Sequence, residues 1–245
     1  RELQKLTEQA QALLDKGIQH TVAESLKAAM NQAAIALQGA GTDAEGNTIY
    51  DKDALTEARA ALQTALEEGE ASRQLYDKLQ ERIRYAQKVV NWWDGEEHKA
   101  TILSMLKSEI ETAQQKMTDY TLTTAQLNTA TRILNVKIAA SDKKIYCSPN
   151  ACGTDQQLQL SSSQWSYKRS MQSKHWILFW EAGYGESVPS SVESILNTAD
   201  QVFEYYANDL KFITINQGKS KTDTYKMIIR LRYTDEWEAS GSGID

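Results

Sequence analysis

A helical half followed by an α/β half is the fold class the sequence predicts: duplicated three-helix bundle modules, then a partial α+β domain of strand-helix-strand order. Three observations predict it. Apolar residues recur at three- and four-residue spacing up to about residue 145, which is the stripe of amphipathic helices. Past Cys147 the period changes, and Ser173-Lys174-His175-Trp176-Ile177-Leu178-Phe179-Trp180-Glu181 is the most hydrophobic run of the chain. A second apolar run, Tyr225 to Tyr233, follows after a helical stretch. The chain is therefore read as a bundle over 1–145, with repeats at about 1–72 and 73–145, and an α+β domain over 146–245. That domain reads as incomplete at its C-terminus, because a lone βαβ unit cannot cover both faces of its sheet.

In chain order, the first helix carries Leu3, Leu6, Ala10, Leu13, Leu14 and Ile18. Thr21 is placed as the cap of the second, which carries Leu26, Met30, Ala33 and Leu37. Gly39, Gly41 and Gly46 break the chain. Asp51 or Asp53 caps a third helix with Leu55, Ala58, Leu62 and Leu66, and Gly69 interrupts or ends it. The pattern then recurs: Leu75, Leu79, Ile83, Ala86 and Val90, closed by Asn91-Trp92-Trp93-Asp94-Gly95; Leu106 to Met117; and Leu127 to Ile138. Leu26, Met30, Ala33 and Leu37 align without gaps on Leu106, Ile110, Ala113 and Met117. Leu55, Ala58, Leu62 and Leu66 align on Leu127, Ala130, Leu134 and Ile138. Duplication of a three-helix unit explains both alignments.

In the second half Gln157-Leu158-Gln159-Leu160 alternates as a half-buried strand does. Trp165, Tyr167 and Arg169 share a face and lead into the central strand. There Ile177 and Phe179 point one way, and Trp176, Leu178 and Trp180 the other. Gly183 and Gly185 end that strand. A helix from about Pro189 to Leu210 follows, with a buried stripe of Val192, Ile195, Leu196, Ala199, Val202, Phe203, Tyr206 and Leu210. In the last strand Met227, Ile229 and Leu231 face one side, and Lys226, Ile228, Arg230 and Arg232 the other. If the two strands are parallel, this is a βαβ unit.

Composition excludes several functions. A net charge of -6 with no concentrated basic run argues against nucleic acid. Neither a Gly-x-Gly-x-x-Gly nor a phosphate loop is present, so no nucleotide and no other cofactor is expected. No apolar run approaches the roughly 20 residues that cross a bilayer. The start Arg1-Glu2-Leu3-Gln4 is already helical in pattern, so the chain is cytosolic or has lost a leader.

The Leu/Ala spacing, with Tyr50 and Tyr120 just ahead of the third helices, resembles the three-helix modules repeated in many bacterial extracellular proteins and named for being found in various architectures. That resemblance implies a spacer or binding arm. The string Trp165-Ser166-Tyr167-Lys168-Arg169-Ser170-Met171-Gln172-Ser173-Lys174-His175-Trp176, with Phe203-Glu204-Tyr205-Tyr206 and Leu210-Lys211-Phe212 after it, resembles the opening of a domain family of unknown function from secreted proteins of gut bacteria. That family is similar in overall order to zinc metallopeptidases of the gluzincin type, whose zinc helix carries His-Glu-x-x-His. This sequence contains no His-Glu-x-x-His. Its histidines, His20, His98 and His175, are not spaced as ligands on one helix. The resemblance thus implies a zinc helix beyond residue 245, or a lineage without metal; no catalytic or metal residue is assigned here.

The candidate ligand-binding residues are Trp92, Trp93 and His175. Paired tryptophans stack on sugar rings or fill a partner's groove; the plainer reading is that they close the end of the bundle. His175 is either an acid/base awaiting a partner or a strand-end histidine bonded to a neighbour. Glu96-Glu97-His98 reads as a charged helix start rather than a metal site. The expected function is binding or spacing towards an extracellular glycan or protein, outside the cytoplasm, in a secreted or outer-surface lipoprotein; the alternative is the front part of a zinc-peptidase-like hydrolase. Localisation rests on Cys147 and Cys152, which flank the turn-forming Ser148-Pro149-Asn150-Ala151 and are read as a local disulfide rather than two separate thiols. Mass spectrometry of unreduced peptides should show that loop closed. Two alkylatable thiols in protein from its native compartment would overturn both the bond and this argument for export.

Overall fold

The structure is a computed structural model that describes residues 2–145, 160, 163–218 and 220–236. Cys147, Cys152 and the strand expected at Gln157–Gln159 lie outside the described residues. The chain forms two compact units: Arg1–Gln87 with Leu106–Val136, and Lys88–Met105 with Lys137–Asp245. The stretches 88–105 and 137–145, read as part of the helical half from their periodicity, fall in the second unit.

The helices are α1 (Glu2–Lys16), α2 (His20–Gln38), α3 (Lys52–Trp93), α4 (Ala100–Lys116) and α5 (Thr124–Ser141). The first unit buries Leu3, Ala10, Leu13, Leu26, Ala33, Ala58, Leu62 and Leu66 in one cluster. The aligned residues Leu106, Ala113, Leu127, Ala130 and Leu134 are also buried, each in the helix its spacing predicts. Gly69 does not end a helix: α3 runs through it for 42 residues. A Cβ there would stand 2.6 Å from Leu13 Cδ2, so the glycine marks close packing of α1 rather than a break. One continuous helix therefore carries both the Leu55–Leu66 and the Leu75–Val90 stripes, which the spacing reads as two helices.

Caps refine the helix starts. Gln19, not Thr21, stands at the start of α2 and makes no side-chain cap. Its amide side chain donates to the Leu122 carbonyl instead, at 2.7 Å. Asp51 Oδ1 accepts from the Asp53 and Ala54 amides, as an N-cap does. Thr123 and Gln126 form a reciprocal capping box at the start of α5. Gly17, at φ +79°, ends α1 short of Ile18; the Tyr120 ring occupies the place a Cβ would take. The glycine-rich loop folds as a small hairpin, β1 (Gly41–Thr42) with β2 (Thr48–Ile49).

The second unit contains a four-stranded mixed sheet in the order β3-β6-β5-β4, with β3 Lys144–Ile145, β4 Ser170–Gln172, β5 Trp176–Trp180 and β6 Tyr225–Leu231. β5 and β6 are parallel, so strand, helix and strand form the βαβ unit. β3, which leaves α5 through Asp142-Lys143, adds a parallel neighbour to β6. Tyr167–Arg169 is a 3-10 turn rather than an extended stretch. The crossover helix α6 spans Val192–Glu204, so Pro189 precedes it in a turn. A π-helical turn, Tyr205–Asp209, continues it.

β5 is buried on both faces. Leu178 and Trp180 pack with Val192 and Leu196 of α6, flanked by Trp176, Ile195, Ile229 and Leu231. On the other face Tyr167 meets Phe179 edge-on at 5.3 Å, and the Lys226 ammonium lies 4.4 Å from the centre of the Trp92 ring. The buried stripe of the crossover is Val192, Leu196, Phe203 and Ala207, while Val202, Tyr206 and Leu210 are exposed. Towards its C-terminal end the expected stripe kept Phe203 but missed Ala207 and wrongly included Val202, Tyr206 and Leu210, because Val202-Phe203 and Tyr205-Tyr206-Ala207 put apolar or aromatic residues on adjacent faces and spacing alone does not choose among them. Trp180 is 1% exposed, and its indole N–H donates to the Gly185 carbonyl at 3.1 Å. Trp180→Ala should lower stability by about 3–5 kcal/mol in urea denaturation; an unshifted midpoint would place the ring outside the core.

Candidate functional site

All parts of the site belong to the second unit. The β4–β5 connection, Ser173-Lys174-His175, is tight: Ser173 N–H donates to the Trp176 carbonyl. Asp200, one turn before Glu204 on α6, accepts from the backbone N–H groups of Lys174 and His175 at 3.2 and 3.0 Å. These bonds from the backbone to the Asp200 carboxylate hold the connection that carries the His175 ring. The ring is buried, stacked on Phe203 at 4.2 Å and edge-on to Trp93 at 5.9 Å.

Both ring nitrogens are engaged. Nε2 lies 2.7 Å from Glu204 Oε1, and Nδ1 lies 2.8 Å from Lys143 Nζ. Burial, reinforced by the Lys143 charge, pushes the imidazole down to about 3. The ring is therefore neutral, and its partners set the tautomer: Nε2–H donates to the carboxylate, and Nδ1 accepts from Lys143. Burial alone would raise Glu204, but hydrogen bonds from Lys174 and His175 outweigh it and hold the carboxyl at about 2. Lys174 bridges Glu204 and Glu96 at 2.8 and 2.9 Å. Burial disfavours the Lys174 charge, yet these two carboxylates raise its pKa. Lys143 lacks such support, and burial pushes it down to about 8.

Trp93 organises the cations. Three ammonium groups face its ring, Lys99 at 4.0 Å, Lys174 at 5.2 Å and Lys143 at 5.5 Å from the centroid. Its indole N–H donates to Asp142 Oδ1 at 3.2 Å. Asp142 Oδ2 pairs with the fully buried Lys226 at 2.8 Å, and Lys226 also donates to the Ser173 carbonyl at 2.6 Å. Imidazole, amine and carboxylate are thus held in a fixed chain beside an aromatic wall.

Of the sequence candidates, Trp93 and His175 meet in this network, and Trp92 lies on its Lys226 side. His175 does not bond to Arg169 or Glu181, the charged residues six positions to either side of it: Arg169 donates to the Ser163 and Gln164 carbonyls, and Glu181 accepts from the Tyr233 N–H. Glu96 is a partner of Lys174, while His98 is 3.7 Å from Glu96 and largely exposed. Sequence reasoning missed Lys143, Glu204, Asp142 and Lys226. One signal for them existed: a lysine inside the apolar run Tyr225-Lys226-Met227-Ile228-Ile229 requires a buried partner. Among the described residues no group of three or more His, Cys, Asp or Glu side chains is arranged to hold a metal ion, so zinc chemistry is assigned to none of them. Among the same residues no helix is long and apolar enough to cross a membrane.

A family described as "Family of unknown function (DUF6055)" matches residues 137–245. The match begins at the residue where the chain re-enters the second unit. No curated protein and no solved structure matches the chain.

The network makes stability depend on pH. The His175 pKa is lowered in the fold from 6.5 to about 3, so the unfolded chain binds the extra proton first as pH falls. The His175 contribution to stability is complete above pH 6.5 and is lost progressively towards pH 3. Linkage gives a loss of about 2 kcal/mol between pH 7 and pH 5. Asp200, raised by burial, works in the opposite sense at lower pH. Urea midpoints at pH 7 and pH 5 should differ by that amount in the wild type and by much less in His175→Gln. Equal losses in both proteins would locate the dependence elsewhere.

Proposed function

We propose that the chain is a binding and spacing protein that acts outside the cytoplasm, with the second unit engaging a glycan. The observation that carries this reading is the π-helical turn after α6. Together with the residues just after it, the turn presents Tyr205, Tyr206 and Phe212 at 52%, 42% and 74% exposure. The rings form a continuous row, with Tyr205–Tyr206 centroids 6.2 Å apart and Tyr206–Phe212 centroids 5.8 Å apart. Exposed Val202 and Leu210 extend the surface. An α-helical continuation would deliver each side chain about 100° after the last; the wider turn changes that phase and brings Tyr206 beside Phe212. Large flat rings with a hydroxyl at one edge suit sugar rings, which present apolar faces rimmed by hydroxyls. Exposed apolar clusters of this kind mark interaction sites.

The helical first unit is read as the spacer. Its regular helices fit that role, as does the resemblance of its spacing to repeated extracellular modules. Affinity electrophoresis through gels containing a panel of soluble polysaccharides tests the binding reading. At least one polysaccharide should retard the wild-type chain, and Tyr206→Ala/Phe212→Ala should abolish that retardation while circular dichroism stays unchanged. Retardation equal in the two proteins, or absent across the panel, would sink the glycan reading.

A further inference from the structure

The Lys226–Asp142 pair holds an amine and a carboxylate in contact away from water. Lys226 Nζ is 2.8 Å from Asp142 Oδ2, and the two side chains are 0% and 5% exposed. Lys174 and Glu204 are equally close, but at 19% and 31% exposure water reaches them. Asp142 divides its oxygens between two tasks. Oδ2 faces the amine, while Oδ1 accepts from the Lys143 backbone N–H at 2.8 Å and from the Trp93 indole N–H at 3.2 Å. Two fixed N–H donors on one oxygen are the arrangement that stabilises charge developing on an attacked carbonyl. The amine is held as well: Nζ donates to the Ser173 carbonyl at 2.6 Å, and the centre of the Trp92 ring lies 4.4 Å away.

We propose that Lys226 and Asp142 condense to an intramolecular isopeptide bond, a covalent tie between the end of α5 and β6. The ion pair is the reactant state. A proton first passes from the ammonium to Oδ2, giving amine and carboxylic acid. The nitrogen lone pair then bonds to Asp142 Cγ as the carbonyl π pair moves onto Oδ1, where the Trp93 and Lys143 N–H groups receive the charge. A second proton crosses from nitrogen to Oδ2. The Oδ1 pair re-forms the C=O bond, the Cγ–Oδ2 bond breaks, and water leaves. The third ammonium proton stays as the amide N–H, placed to keep the Ser173 carbonyl bonded. No oxidation state changes, and no co-reactant enters.

The surroundings favour the product. Two buried charges become one neutral amide, which removes the penalty of holding ions out of water. Fixed contact replaces a bimolecular encounter, and well-oriented intramolecular reactions reach effective concentrations of roughly 10⁵–10⁸ M. Burial lowers the Lys226 pKa against the pull of Asp142 and Asp200, which eases the first proton transfer. The segment enclosed by the tie carries β4, β5 and α6, so the link would fasten the strand-helix-strand unit to the helix end that precedes it. It is separate from the aromatic row at the π turn, and its failure would leave the glycan reading untouched.

Intact-mass spectrometry of the reduced, denatured full chain tests the proposal. The wild type should weigh one water, about 18 Da, less than its sequence requires. A tryptic map should contain a branched peptide that joins residues 138–143 to residues 222–230, uncleaved at Lys226. Lys226→Met should show the full mass. In chain followed from cell-free synthesis, water loss should be first order and independent of protein concentration. Trp93→Phe should slow that loss about tenfold or more, because one donor to Oδ1 is gone. A wild-type chain that keeps its full mass after prolonged incubation in the folded state overturns the proposal without recourse to a variant. So does a lost water that maps to other residues or persists in Lys226→Met. Equal rates in folded wild-type and Trp93→Phe chains overturn the role given to the indole N–H.

Discussion

A lysine ammonium with no exposed surface requires a counter-charge and hydrogen bonds, and in the second unit Asp142 and the Ser173 carbonyl provide them for Lys226. Burial lowers the Lys226 pKa and Asp142 opposes that shift. Transferring two charges from water costs several kcal/mol each, and leaving one of them alone inside is worse. The pair therefore acts less as glue than as a condition: β6, the end of α5 and the β4–β5 connection must meet at one point, or a bare charge is buried. Asp142 meets this demand with further bonds, accepting from the Trp93 indole and from the Lys143 amide. A residue that joins a strand, a helix end and an aromatic wall leaves few other arrangements open to them.

The geometry around His175 inherits this constraint. Trp93 is held by Asp142, and Lys143 is the next residue along the chain, so the indole and the amine that face His175 are both placed by the same carboxylate. From the opposite side α6 contributes Asp200, Phe203 and Glu204, three residues on one helical face, to the backbone, ring face and Nε2 of the histidine. Three ammonium groups near one indole would repel each other in water. Here Lys174 is balanced by two carboxylates, Lys99 by a carbonyl, and Lys143 by loss of part of its own charge.

The end of α6 follows a different logic. Phe203 and Ala207 complete the buried stripe, and the π turn from Tyr205 begins as that stripe runs out. A π turn forfeits regular α-helical hydrogen bonds, and here the Leu210 N–H still finds the Tyr205 carbonyl. The side chains it displays are large, apolar and exposed, an arrangement that burial alone does not explain. Interior network and surface row thus share one helix but answer to separate demands, one for satisfied charge and the other for access.

Periodicity alone determined a good deal. The helices of the first 145 residues, the buried strand Trp176–Trp180, the half-buried strand Tyr225–Leu231, and the helix between them all follow from spacing, because a 3.6- or 2-residue repeat reports which face meets apolar matter. Trp92, Trp93 and His175 stood out as unusual residues, and the structure places all three in the second unit. Spacing did not determine helix continuity through Gly69, where packing against Leu13 decides, or the phase of the crossover stripe, where apolar residues on adjacent faces give no contrast. Nor did it reveal the partners of His175. Lys143 and Glu204 are 32 and 29 residues from it in sequence, and nothing in their local surroundings distinguishes them from solvated charges. Ion pairs and hydrogen bonds across such distances carry no repeat; they exist only once β3, β5 and α6 are in place, so only the tertiary structure decided them.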